Sequence, residues 1–137
     1  MQPQIGFCST TDGARIAYAT VGTGPALVVC QHAPSHIGLE WEEARVRAFW
    51  KAIGRHHLVI RYDKQGCGLS DRNRTDFSLD SEVRTIEAIV KELGLESFVL
   101  LGEHGAGERR ALGEEAAVGM PILEPRELCQ ILCPLSI

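Results

Sequence analysis

The stretch Leu58-Val-Ile-Arg-Tyr-Asp-Lys-Gln-Gly-Cys-Gly-Leu-Ser-Asp71 constrains the fold more than any other part of the chain. A β-branched run ends in Asp63, and a turn holding Gly66 and Gly68 follows, closed by Ser70 and Asp71. Strands inside a parallel sheet are covered on both faces and read as continuous apolar runs. Glycines after such a strand let the backbone turn tightly over the carboxyl edge of the sheet, where open α/β sheets keep their ligands. A second run, Phe98-Val-Leu-Leu-Gly102, leads into Glu103-His104-Gly105-Ala106-Gly107, another glycine-rich exit from a strand.

The intervening segments supply the remaining elements. Ile5 to Ser9 and Ala14 to Val21 read as strands of a hairpin turned at Thr11-Asp12-Gly13, since Asp-Gly between such runs is a strong hairpin signal. Ala26 to Gln31 has the low alternation of an interior strand. Glu40 to Ile53 reads as one helix stopped at Gly54. A further helix starts near Ser78 or Asp80, either of which can cap it, and ends at Gly94. Strand, helix, strand, helix, strand is the rhythm of βαβ units. The expected fold class is α/β, a hairpin followed by βαβαβ.

Composition narrows the function. The 137 residues have room for one domain, with 45% hydrophobic and 23% charged side chains. A formal charge of -4 gives no reason to expect nucleic acid or an anionic membrane as partner, since either would call for a basic face. No apolar run approaches the roughly 20 residues needed to span a bilayer. Met1-Gln-Pro-Gln opens without a signal-peptide pattern, so a cytoplasmic location is the default expectation. The five cysteines are odd in number and widely scattered, which argues against a disulfide framework. Cys30 reads as a small buried hydrophobe, and Cys67 as a turn residue without a fixed basic neighbour to activate it. Cys129 and Cys133 have no matching pair for zinc. His32 and His36 are separated by Pro34, and His56 and His57 point apart on a strand, so no metal site is expected. No cofactor is expected either: Gly105-x-Gly107 lacks the Lys-Ser or Lys-Thr of a phosphate loop.

From about Gln4 to Gly102 the chain resembles the N-terminal half of an α/β-hydrolase-fold protein. It is similar to bacterial hydrolase-like domains also found linked to LuxR-type regulators or nucleotide cyclases. The residues that carry the resemblance are Phe7 to Gly22, Ser35-His36 with Trp41, Arg61 to Asp71, Asp76-Phe-Ser-Leu79 and Leu93 to Gly102. The resemblance implies an incomplete α/β-hydrolase-like sheet, truncated after the nucleophile-elbow position. Residues 4–107 would form the half-domain and 108–137 an atypical tail, whose composition fits a truncated gene or shifted reading frame. It places the oxyanion-hole backbone amide at Ala33, after His32, and the second such amide at Gly105. The elbow serine of Gly-x-Ser-x-Gly falls on His104, with Ala106 on the last glycine. Glu114 and Glu115 are the acids nearest beyond it, and no histidine follows His104.

Two readings follow. In one, the chain is a relative of serine esterases without a working triad, His104 being the catalytic-position residue. In the other it is a binding or regulatory module, or a fragment of a larger hydrolase-like regulator, holding a small molecule between His32, Ala33, Glu103 and His104. Asp63 is expected to be structural, supporting its turn through hydrogen bonds. With both covering helices on one face, some combination of the apolar side chains of Leu27, Val29, Val59, Ile60, Val99 and Leu101 would be exposed. Unless the proline-containing tail folds over that surface, a contiguous apolar patch would result. The strand Phe98 to Leu101 would be an open edge through which the chain self-associates.

Overall fold

A computed structural model describes residues 1–30, 35–74 and 76–102. Several expectations fall outside them: the boundary at residue 107, the tail 108–137 with Cys129 and Cys133, the metal reading of His32, and the site residues His32, Ala33, Glu103, His104 and Gly105. Among the described residues five strands form one sheet: β1 (Gln4–Ser9), β2 (Arg15–Val21), β3 (Ala26–Cys30), β4 (Leu58–Tyr62) and β5 (Val99–Gly102). Three helices connect them: α1 (Ile37–Glu42), α2 (Ala44–Gly54) and α3 (Leu79–Leu93). The strand order is β1-β2-β4-β3-β5. β1 pairs antiparallel with β2, and β2 antiparallel with β4, whereas β3 runs parallel to both β4 and β5.

The hairpin turn is closed by Thr10 and Ala14, whose backbones bond at 2.8 Å, with Gly13 at φ 85°. That conformation is open to glycine and strained for other residues. The expected single helix from Glu40 to Ile53 is instead two. The chain breaks at Glu43, which leaves helical geometry (φ -76°, ψ 121°) and turns its carboxylate onto the Val46 amide at 2.9 Å. Glu43 thus caps α2, and its carboxyl is held below the usual range, chiefly by the Val46 amide. At α3 the cap is Ser78, and Gly94 ends the helix in the left-handed conformation.

The expectation that both helices cover one face is overturned. After β3 the chain crosses through α1 and α2 to β4 on one side, then returns through α3 to β5 on the other. Right-handed crossovers in opposite directions put their helices on opposite faces. Alternate residues of each strand accordingly join different cores. Val28, Cys30, Ile60, Tyr62 and Leu100 pack with Ile86 and Ile89 of α3. Leu27, Val29, Val59 and Leu101 pack with Trp41, Trp50 and Ile53 of α1 and α2. Leu27, Val29, Val59, Ile60 and Leu101 are therefore buried and Val99 is half-buried, so no combination of these six leaves an exposed apolar patch.

Candidate functional site at the carboxyl edge

β3 has β4 on one side and β5 on the other, so the direction of winding reverses there. Crevices at such switch points, outside the carboxyl ends of the strands, are where open α/β sheets bind ligands. The register is explicit: Cys30 and Gly102, the last residues of β3 and β5, are partners. The two strands thus end side by side. His32 and Ala33, which follow β3 in sequence, and Glu103, His104 and Gly105, which follow β5, are the residues that the sequence nominated and lie outside the described residues.

The described part of the edge is organised by Asp63, immediately after β4 and fully buried. Its carboxylate accepts from the Ser35 hydroxyl at 2.8 Å, the Ile37 amide at 3.1 Å and the Leu69 amide at 2.9 Å. A buried charge is tolerated when hydrogen bonds replace its water. Gly68 lies so close that a Cβ there would stand 2.1 Å from the Asp63 Oδ2, and its φ is 51°. Only glycine permits this approach. The Ser70 hydroxyl donates to the Asp63 carbonyl at 2.6 Å and accepts from the Ala17 amide at 2.9 Å. Asp71 and Arg15 exchange two further bonds, each 2.9 Å. The glycine turn is thereby sewn to β2, and Asp63 is structural as expected.

Arg61 sits two residues before Asp63, on the same side of β4. Its guanidinium is buried, pairs with Glu40 of α1, and lies 5.3 Å from the Trp50 ring centroid. Arg61 and Asp63 together hold the segment Ser35 to Glu40, where the chain returns after β3. The opposite face carries a second polar group. The Tyr62 hydroxyl donates to Glu82, at the start of α3, and lies 3.3 Å from the Cys30 Sγ. Lys64 approaches Glu82 at 3.7 Å. Burial, with Cys30 and Glu82 adding, raises the Tyr62 phenol well above its ordinary value. Gln65 is also buried, and neither end of its carboxamide has a partner among the described residues.

Sequence reasoning assigned no role to Arg61, Glu40, Tyr62, Glu82 or Gln65. For Arg61 the available signal was a charged side chain within an apolar stretch. His36 caps α1 through Nδ1, which accepts from the Leu39 amide at 3.0 Å. Among the described residues no three His, Cys, Asp or Glu side chains form a group able to hold a metal ion. No helix among them is long and apolar enough to cross a membrane.

The hairpin, the winding about β3 and the glycine turn define an α/β-hydrolase fold. The chain builds the N-terminal half of such a protein. No family model matches the sequence, and no curated protein does. Among solved structures it is similar to an α/β-hydrolase-fold protein from Burkholderia ambifaria, with 29% identity and a TM-score of 0.63, over 80% of this chain and 39% of that one. A hydrolase from Pseudomonas aeruginosa superposes with a TM-score of 0.71 at 22% identity, over 93% of this chain and 50% of its own. An epoxide hydrolase gives a TM-score of 0.71 at 22% identity, over 87% and 40%. The chain thus spans half or less of the length of each.

Proposed function

We propose that this is an α/β-hydrolase-family protein related to serine esterases that does not turn over substrate as encoded. The observation supporting a site at the switch point is the pairing of Cys30 with Gly102 at the ends of β3 and β5. In this reading the amides of Ala33 and Gly105 form the oxyanion hole and His104 stands where the nucleophile belongs. A nucleophilic mechanism needs a base, and a base needs an orienting acid. The sequence after His104 contains no further histidine. The setting is the cytoplasm of a bacterium. Hydrolysis of p-nitrophenyl acetate and butyrate by the chain and its His104→Ala variant is the test. Equal, background-level rates are expected, and turnover that disappears with His104 would refute the proposal.

One observation favours a second reading, a small-molecule binding or regulatory module. A buried carboxamide at this edge, Gln65, has unpartnered donor and acceptor ends among the described residues. Buried polar atoms are almost always satisfied, and a ligand's polar group is one way to do so. A ligand that raises the melting temperature of the chain but not of Gln65→Leu, with no product formed, would decide for this reading.

A further inference from the structure

α1 is six residues long, and so short a helix is held by what satisfies its ends more than by its own bonds. Its last carbonyls are held by Arg47 of α2, whose guanidinium donates to the Trp41 carbonyl at 3.1 Å and reaches that of Glu42 at 3.5 Å. Its first turn rests on three acceptors. The Asp63 carboxylate takes the Ile37 amide at 3.1 Å, the His36 carbonyl takes the Glu40 amide at 2.9 Å, and the His36 Nδ1 takes the Leu39 amide at 3.0 Å. The imidazole folds back over this turn. A Cβ on residue 38 would stand 3.2 Å from the His36 Cε1 and 3.4 Å from its Nδ1, so Gly38 leaves room for the ring.

Histidine is an unusual cap. Serine, threonine, asparagine and aspartate, which cap most helices, offer an oxygen that accepts throughout the neutral range. An imidazole nitrogen accepts only while it carries no proton. Protonated imidazole has a donor at each nitrogen, so no rotation of the ring restores the bond, and its charge then faces the positive end of the helix. Imidazole makes that change within the range pH 5–8.

We propose that His36 is a pH-sensitive latch on the start of α1, closed while the imidazole is neutral and released when it takes up a proton. Among the described residues, the charged groups on and against α1 are its own Glu40 and Glu42, Asp63 after β4, Arg61 of β4, and Glu43 and Arg47 at its far end. The Asp63 carboxylate binds the residues on both sides of His36, Ser35 and Ile37. The Arg61 charge is met by Glu40. Release therefore frees the Leu39 amide first, and loosens the turn that carries Glu40 to the buried Arg61. The latch lies at the carboxyl edge of the sheet, where the chain returns after β3. The inference rests on the cap and is independent of what chemistry, if any, occurs at the switch point.

The test is an NMR titration of the full chain from pH 8 to pH 5. At pH 8 the His36 ring should carry its proton on Nε2 and leave Nδ1 bare. The Leu39 amide resonance should move with the same midpoint as the His36 ring. Its protection, taken relative to the intrinsic exchange rate at each pH, should fall about fivefold or more across that midpoint. His36→Asn retains an acceptor that does not titrate, and should keep the Leu39 amide protected with no transition. His36→Ala should leave that amide unprotected at both ends of the range. If the alanine variant does not fold, the asparagine variant and the unmodified chain decide. A proton on Nδ1 at pH 8, a Leu39 amide that ignores the His36 midpoint, or a Leu39 transition that persists in His36→Asn overturns the proposal.

Discussion

Replacing Asp63 with alanine removes one acceptor from three donors, the Ser35 hydroxyl and the Ile37 and Leu69 amides. A hydrogen bond to a charged group contributes about 1.5–3 kcal/mol net, and a buried donor left unsatisfied costs about 1–3 kcal/mol. Three such bonds do not add fully, and removing a buried carboxylate recovers part of its desolvation cost. A loss of about 3–5 kcal/mol remains, a large part of the ~5–15 kcal/mol stability of an ordinary domain. Trp41 and Trp50 are both buried in one cluster, so their fluorescence in urea reports the transition. Asp63→Asn keeps the shape and one acceptor oxygen, and should lose roughly half as much. Gly68→Ala supplies an internal control. Its Cβ would collide with the Asp63 carboxylate, so in an Asp63→Ala background the collision disappears and only the strain of a left-handed alanine, about 1 kcal/mol, is left. The two substitutions should therefore be strongly non-additive. Destabilisation below about 1 kcal/mol by Asp63→Ala, or simple additivity with Gly68→Ala, would refute the view that this carboxylate organises the edge.

Glu40→Gln leaves the buried Arg61 charge without its carboxylate; Glu40 is partly solvated, so the expected loss is about 2 kcal/mol, below that of a fully buried pair, read by the same urea titration. The Asp76 carboxyl is held below its usual value first by the Ser78 hydroxyl and then by the Ser78 amide, with Arg84 adding. A carboxyl lowered on folding stabilises above its unfolded value of 3.8 and loses that contribution as pH falls through the folded value. The start of α3 should consequently lose amide protection below about pH 4, and Asp76→Asn should lack this acid dependence. Burial, with Glu92 adding, pushes the Cys8 thiol from 9.0 up to about 11. At pH 8 it carries about 100-fold less thiolate than an ordinary cysteine, and iodoacetamide labelling with mass mapping should find Cys8 unmodified until urea is added.

What could be read from the sequence follows the range of the interactions involved. The hairpin at Asp12-Gly13 and the stop at Gly94 depend on neighbours in the chain and were legible. So was the interior character of Ala26 to Cys30, which lies in the composition of the run itself. The break at Glu43 was hidden because the apolar face of Glu40 to Ile53 continues through it, and glutamate is not among the strong capping residues. The faces covered by α2 and α3 depend on which side of β3 each crossover returns to. That is a property of strand order and of no single segment. The Arg61–Glu40 pair joins residues on β4 and α1, and in a one-dimensional reading Arg61 only interrupts an apolar strand. The site nominations at His32, Ala33, Glu103, His104 and Gly105 came from the resemblance alone, whereas the structure contributes the pairing of Cys30 with Gly102 that sets the ends of β3 and β5 side by side.

The reversal of winding at β3 also sets an order of assembly. The β1–β2 hairpin closes over five intervening residues, 10 to 14, and needs no other element. β3 cannot become central until α3 has carried the chain back past it, so its contacts with β5 are among the most distant in sequence that the sheet contains. Closing such long loops is entropically costly before any contact is rewarded, which slows folding and defers those contacts. Small truncations at the β3–β5 seam, such as Val99→Ala, should therefore accelerate unfolding more than they retard folding, whereas Ile16→Val in the hairpin should act more on the folding limb. Stopped-flow chevrons would show the difference. The paired ends of β3 and β5 at the switch point would then be the last part of the sheet to come into register and the first to leave it.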